Sequence, residues 1–113
     1  MQLLAPWTGQ GVQSTGTATL NFGAFPGSSD ASVAVTGIAG IAANAIVSAW
    51  VLPAATADHS ADEHVMESLQ VQAGNVVAGT GFTIYGSNFS TPDQGGKGRI
   101  YGAWNIAWTW QNP

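Results

Sequence analysis

The segment TADHSADEH, residues 56–64, gathers most of the reactive side chains of this protein. Asp58, Asp62 and Glu63 are three of only six acids in 113 residues, Glu67 follows directly, and both histidines, His59 and His64, lie inside the same window. Two imidazoles and several carboxylates are enough donors for a cation, and His59, His64, Asp62 and Glu63 form the candidate ligand set. The spacing speaks against it. Zinc proteases place His-Glu-x-x-His on one helix face, whereas these histidines stand five residues apart. An EF-hand loop needs alternating Asp/Asn ligands around a central Gly, which the window lacks. No metal is expected.

Catalysis fits no better. His59 beside Asp58 or Asp62 has the residue types of a base and its orienting acid. The nucleophile, however, would have to be Ser60 or a distant hydroxyl, with no nucleophile elbow or cofactor fingerprint nearby. Adjacent acids in a short loop do not flank one bond as paired glycosidase carboxylates do. The chain is therefore read as a non-enzyme, with no catalytic residue and no cofactor. Ser60-Ala61-Asp62-Glu63 instead spells a capping box, in which the Ser60 hydroxyl and the Glu63 carboxylate each take the other residue's backbone N–H. Asp62 and Glu63 also suit the positive end of a helical turn. The expectation is a capped turn near 61–66, with Val65 and Met66 tucked onto a sheet and the acids in solvent. Replacing His59 and His64 by Gln is then expected to be nearly silent.

The frame that holds this window is poor in charge. Charged residues are 7% of the chain, against an average near 25%, while 45% hydrophobic content and five tryptophans exclude disorder. Lys97 and Arg99 are the two cations in a net charge of −4. No basic patch can be built from them, so nucleic acid is excluded as a partner. Their Gly-rich loop lacks the following helix that a phosphate grip requires. Without cysteine there are no disulfides and no thiolate ligands. MQLLAPW lacks the basic start and apolar length of a signal peptide. Residues 33–53 carry no charge, but Thr36, Asn44 and Ser48 interrupt them, Pro53 ends them, and no Lys or Arg flanks them. They read as two buried strands and a turn, not as a membrane span.

Period-2 alternation marks strands at TATLNF (17–22), ASVAVTG (31–37), NAIVSAWVLP (44–53), ESLQVQAG (67–74) and NVVAGTGFTIYGSN (75–88). The longest run is RIYGAWNIAWTW, where Ile100, Trp104, Ile106, Trp108 and Trp110 share one face. Alternation in register favours core or subunit interface over a sugar-stacking platform for Trp104, Trp108 and Trp110. Tyr85 and Tyr101 read as amphipathic edge residues. Short strands with Gly/Pro turns predict one all-β domain over 1–113, an antiparallel β-sandwich or jelly roll of about seven or eight strands. Residues 1–16, with Trp7 as their one large anchor, are expected to extend into intersubunit contacts.

Three segments together resemble small structural proteins of tailed bacteriophages: TATLNFGAFPGSSDASVAVTG, TADHSADEH leading into GNVVAGTGFTIYG, and RIYGAWNIAWTW. The resemblance spans residues 17–110 and brings no catalytic residue with it. It implies a virion component assembled in the host cytoplasm, most simply a capsid decoration or cement protein. The alternative it leaves open is a tail-fibre or receptor-binding module that contacts a host glycan or protein. The expected partners are other virion proteins and further copies of the chain. So few charges beside so many apolar residues favour a homo-oligomer, and a trimer suits threefold capsid positions.

Overall fold

The computed structural model describes residues 13–88 and 98–113. Six strands and one short helix occupy them: β1 (Gln13–Asn21), β2 (Asp30–Val35), β3 (Ile46–Val51), α1 (Ala61–Met66), β4 (Leu69–Val77), β5 (Gly81–Asn88) and β6 (Ala103–Gln111). They form two three-stranded antiparallel sheets, ordered β1-β6-β3 and β2-β5-β4. The chain is all-β, as its alternation predicts, with six described strands where about seven or eight were expected. Among the described residues no helix is long and apolar enough to cross a membrane.

Only β4 and β5 pair as sequence neighbours, through a tight turn at Val77–Gly81. β6 lies centrally and joins the ends of the fold, Gln13 opposite Gln111 and Leu20 opposite Trp104. Of residues 1–16, expected to extend into intersubunit contacts, residues 13–16 are described. Residues 13–16 are held within the chain by β6, while the remainder of that segment, including Trp7, lies outside the described residues. The uncharged run 33–53 holds the end of β2 and all of β3. β2 pairs with β5 and β3 with β6, so the two strands sit in different sheets.

The sheets pack face to face, β1 near β2 and β3 near β4. Between them lie Leu20, Phe22, Val35, Phe82, Ile84, Ile106, Trp104, Trp108 and Trp110, all buried. The Phe82 ring meets Trp108 edge-on at 5.5 Å between centroids. Gly16 lies directly beneath the Trp108 indole, where any Cβ would collide with the ring. The aromatic content of β6 is thus spent on the core. Of the two places expected for Trp104, Trp108 and Trp110, core or subunit interface, they occupy the core, because their common face looks inward at β5.

Candidate functional site

The acidic window folds as a strap along the start of β6. β3 ends at Val51, before Pro53, and so leaves β6 paired only with β1 at Ala103–Asn105, its other edge open. Unpaired backbone groups at such an edge need other partners. The Leu52 N–H donates to the Asn105 carbonyl at 2.9 Å. Past that point side chains take over. The Ala103 N–H donates to Asp58 Oδ2 at 2.7 Å, the Thr56 hydroxyl donates to the Ala103 carbonyl at 2.9 Å, and the Asn105 N–H donates to His64 Nε2 at 2.9 Å. A carboxylate, a hydroxyl and an imidazole do the work of an absent strand.

The capping box forms as the sequence spells it. Glu63 N–H donates to Ser60 Oγ at 3.2 Å and Ser60 N–H to Glu63 Oε1 at 2.7 Å, opening α1 over Ala61–Met66. The Ser60 amide, above all, holds the Glu63 carboxyl below its ordinary range; desolvation works against this, and the nearby His59 adds to it. The side chains that dock the turn are not those expected. Val65 and Met66 point outward, Met66 81% exposed, and His64 is the residue α1 buries. With a single helical turn, the face toward β6 has room for one large side chain, and His64 holds it through backbone hydrogen bonds that Val and Met cannot make.

Both imidazoles are therefore interior groups, within a window expected to be a solvated loop. They flank Trp104, itself 2% exposed. The His59 ring stacks on the indole at 3.9 Å and His64 lies tilted at 4.9 Å. His59 Nε2–H and Trp104 Nε1–H both donate to the Tyr101 carbonyl, at 2.6 and 3.1 Å. The His64 Nδ1–H donates to the Ser60 carbonyl at 2.8 Å, which fixes the tautomer and leaves Nε2 as the acceptor for Asn105. His59 Nδ1 stands 3.5 Å from Glu63 Oε2, an ion-pair distance beyond hydrogen-bond length. Among the described residues no group of three His, Asp or Glu side chains converges on a point that would hold a metal. Three of the four imidazole nitrogens are already committed to the backbone. The window's hydrogen bonds fasten β6.

Of the remaining candidates, Arg99 donates to the Gly27 carbonyl at 3.0 Å, and Lys97 lies outside the described residues. Tyr101 and Phe25 meet edge-on at 5.5 Å, with Phe25 79% exposed.

Two surfaces escape notice in the sequence reading. The outer face of β1-β6-β3 carries rows such as Thr17–Ala107–Trp50 and Thr15–Thr109–Ser48, with Ile46 beyond them, and among the described residues the three strands point no charged side chain outward. Ile46 and Trp50 lie 60% and 46% exposed on it. Their signal was the counter-phase in β3, where Val47, Ala49 and Val51 point inward and Ile46, Ser48 and Trp50 outward. On the outer face of β2-β5-β4, Gln70, Gln72, Tyr85 and Ser87 line a shallow cleft. The alternating Gln-x-Gln of LQVQ was its trace. Comparison with protein-family models, curated proteins and solved structures returned no match.

Proposed function

We propose that the chain is a structural component of a tailed-bacteriophage virion, most simply a capsid decoration or cement protein, with its two sheets acting as one β-sandwich or jelly-roll-like domain. The carrying observation is the uncharged outer face of β1-β6-β3, with Trp50 and Ile46 exposed on it. Burying such a face removes apolar area from water without stripping water from ions, and its hydroxyls and amides can pair across the contact. A protein that binds the assembled shell and not free subunits stabilises the shell by mass action. Resistance to internal DNA pressure would follow. The same face suits a homo-oligomer, with a trimer favoured for threefold positions. This replaces the C-terminal tryptophans as the basis for assembly, since they belong to the core.

The rival reading, a tail-fibre or receptor-binding module, draws on the exposed Phe25–Tyr101 pair. Quantitative mass spectrometry of purified particles separates the two. A copy number that scales with capsid subunits means decoration, a number set by tail symmetry means a tail part, and absence from particles overturns both. Trp50→Asp should abolish re-binding to stripped particles while leaving the fold intact. Unimpaired re-binding would remove this face from the contact.

A further inference from the structure

We propose that the open edge of β1 pairs with β1 of a second copy of this chain. The two strands run antiparallel about a twofold axis at Thr17 and join their sheets in the order β3-β6-β1-β1-β6-β3.

The ladder with β6 decides which backbone groups of β1 point away from the sheet. The Phe22 N–H donates to the Gly102 carbonyl, one step beyond the Asn21–Ala103 pair. Hydrogen-bonded pairs alternate along an antiparallel ladder, so Leu20, Ala18, Gly16 and Ser14 exchange bonds with β6. Residues 13, 15, 17, 19 and 21 therefore turn their N–H and C=O groups to the open edge. Among the described residues these groups are met only by the Ser14 hydroxyl, 3.4 Å from the Thr15 carbonyl. The other three edges carry guards of the kind that prevent pairing. β2 is six residues long and opens with Asp30, β3 is six residues long and stops before Pro53, and β4 is bulged between Gly74 and Val77. β1 runs nine residues without a charge or a proline, and its register is unbroken from Gln13 to Asn21.

The side chains name the occupant. Gln13, Thr15, Thr17, Thr19 and Asn21 are all exposed, and they read amide-Thr-Thr-Thr-amide from either end. A twofold axis at Thr17 sets Thr15 against Thr19, Gln13 against Asn21, and Thr17 against its own copy. These are the same residues whose backbone groups face out, so both patterns select one register. It makes about ten N–H···O bonds, two for each facing pair. Facing threonines add to the stability of such a ladder. On the other side of the strand Gly16 meets Ala18, and both are small. No charge meets its like. A strand of another protein would need a matching row, whereas a second copy supplies it by symmetry. Thr17 also shares a row with Ala107 and Trp50, so pairing sets the two uncharged outer faces side by side. The contact rests on β1 alone and is independent of the virion reading.

Cysteine cross-linking of the full chain tests both the pairing and its register, since the chain has no cysteine of its own. Across a hydrogen-bonded pair the Cα atoms lie about 5.5 Å apart, within the reach of a disulfide. Thr17→Cys should give a covalent two-chain species on mild oxidation. Thr15→Cys alone should not, because its copy lies four residues along the strand, about 14 Å away. Mixed with Thr19→Cys, it should cross-link. Without cross-linking, analytical ultracentrifugation should show a concentration-dependent two-chain species. Thr17→Lys should weaken it about tenfold or more, by placing two like charges on the axis. That side chain faces solvent, so the melting temperature at low concentration should stay near the wild-type value. Trp50→Asp should leave the pairing unchanged, which separates this contact from any assembly through the outer face. Equal cross-linking by Thr15→Cys and Thr17→Cys, a chain monomeric at every concentration, or association lost in Trp50→Asp and kept in Thr17→Lys would overturn the proposal. Exchange protection of the Thr15, Thr17 and Thr19 amides only on particles would assign the edge to a strand of another protein, and overturn it too.

Discussion

The His59 imidazole lies on the Trp104 indole with ring centroids 3.9 Å apart and planes 21° from parallel, and both rings donate to the one carbonyl of Tyr101. This stack joins the strap to the core of β6. A window that reads as solvated in sequence is thereby one of the anchors of the fold, and the predictions follow from what each anchor holds.

His64→Leu should destabilise the protein by roughly 1–3 kcal/mol, the penalty of a buried donor left unpaired. Leucine fills a similar volume, but the Asn105 N–H and the Ser60 carbonyl would both lose their partner. Urea unfolding measures the difference. A change below about 0.5 kcal/mol, as for an ordinary surface substitution, would show that water replaces the imidazole.

Ser60→Ala should cost about 1 kcal/mol through loss of the N-cap. Glu63, the other half of the capping box, adds a pH dependence. Its folded pKa lies below the ordinary value of 4.5, chiefly because the carboxylate accepts from the Ser60 amide. The stabilisation is thus complete above that ordinary value and is lost as pH falls through the folded value. Glu63→Gln should lower stability near neutrality and flatten the low-pH limb of the stability curve. An unchanged limb would assign acid sensitivity to other groups.

Chelator should leave the melting temperature unchanged, and added Zn²⁺ or Ca²⁺ should not raise it. Binding to the folded state alone would stabilise by mass action, and the imidazole nitrogens are mostly held by backbone groups. A chelator-sensitive melt would require the strap to rearrange.

What could be read in the sequence divides along the distance between partners. The capping box is complete within four residues, and α1 forms where Ser60 and Glu63 place it. The alternation of β6 is equally local, and its inward face is the one the tryptophans mark. The fate of His59 and His64 was not readable, because their partners Tyr101 and Asn105 lie 42 and 41 residues downstream. Alternation likewise identified β2 and β3 as strands without saying that they join different sheets. Periodicity specifies which face is buried; it does not name the strand across the interface.

Gly16→Ala should disturb the core out of proportion to one methyl group. A Cβ there overlaps the Trp108 ring, which packs edge-on against Phe82 and has little room to retreat. Overpacking of this kind costs typically about 1–3 kcal/mol. Near-ultraviolet circular dichroism should change with it, since the displaced group is an indole in the core. A silent substitution would mean that β1 shifts along β6 at low cost.

The closest test of the strap is a cycle between Asp58 and Gly102. Gly102 has φ of +77°, and a Cβ at that position would collide with the Asp58 side chain that accepts from Ala103. Gly102→Ala therefore carries two penalties, left-handed backbone strain of about 1–2 kcal/mol and displacement of Asp58. Asp58→Gly removes the second and leaves the first. In the double variant the cost of Gly102→Ala should fall by more than about 0.5 kcal/mol relative to its cost in the native background, a coupling expected only of residues in contact. Additive effects in urea unfolding would mean that the carboxylate can swing away freely, and that Asp58 does not hold the edge of β6.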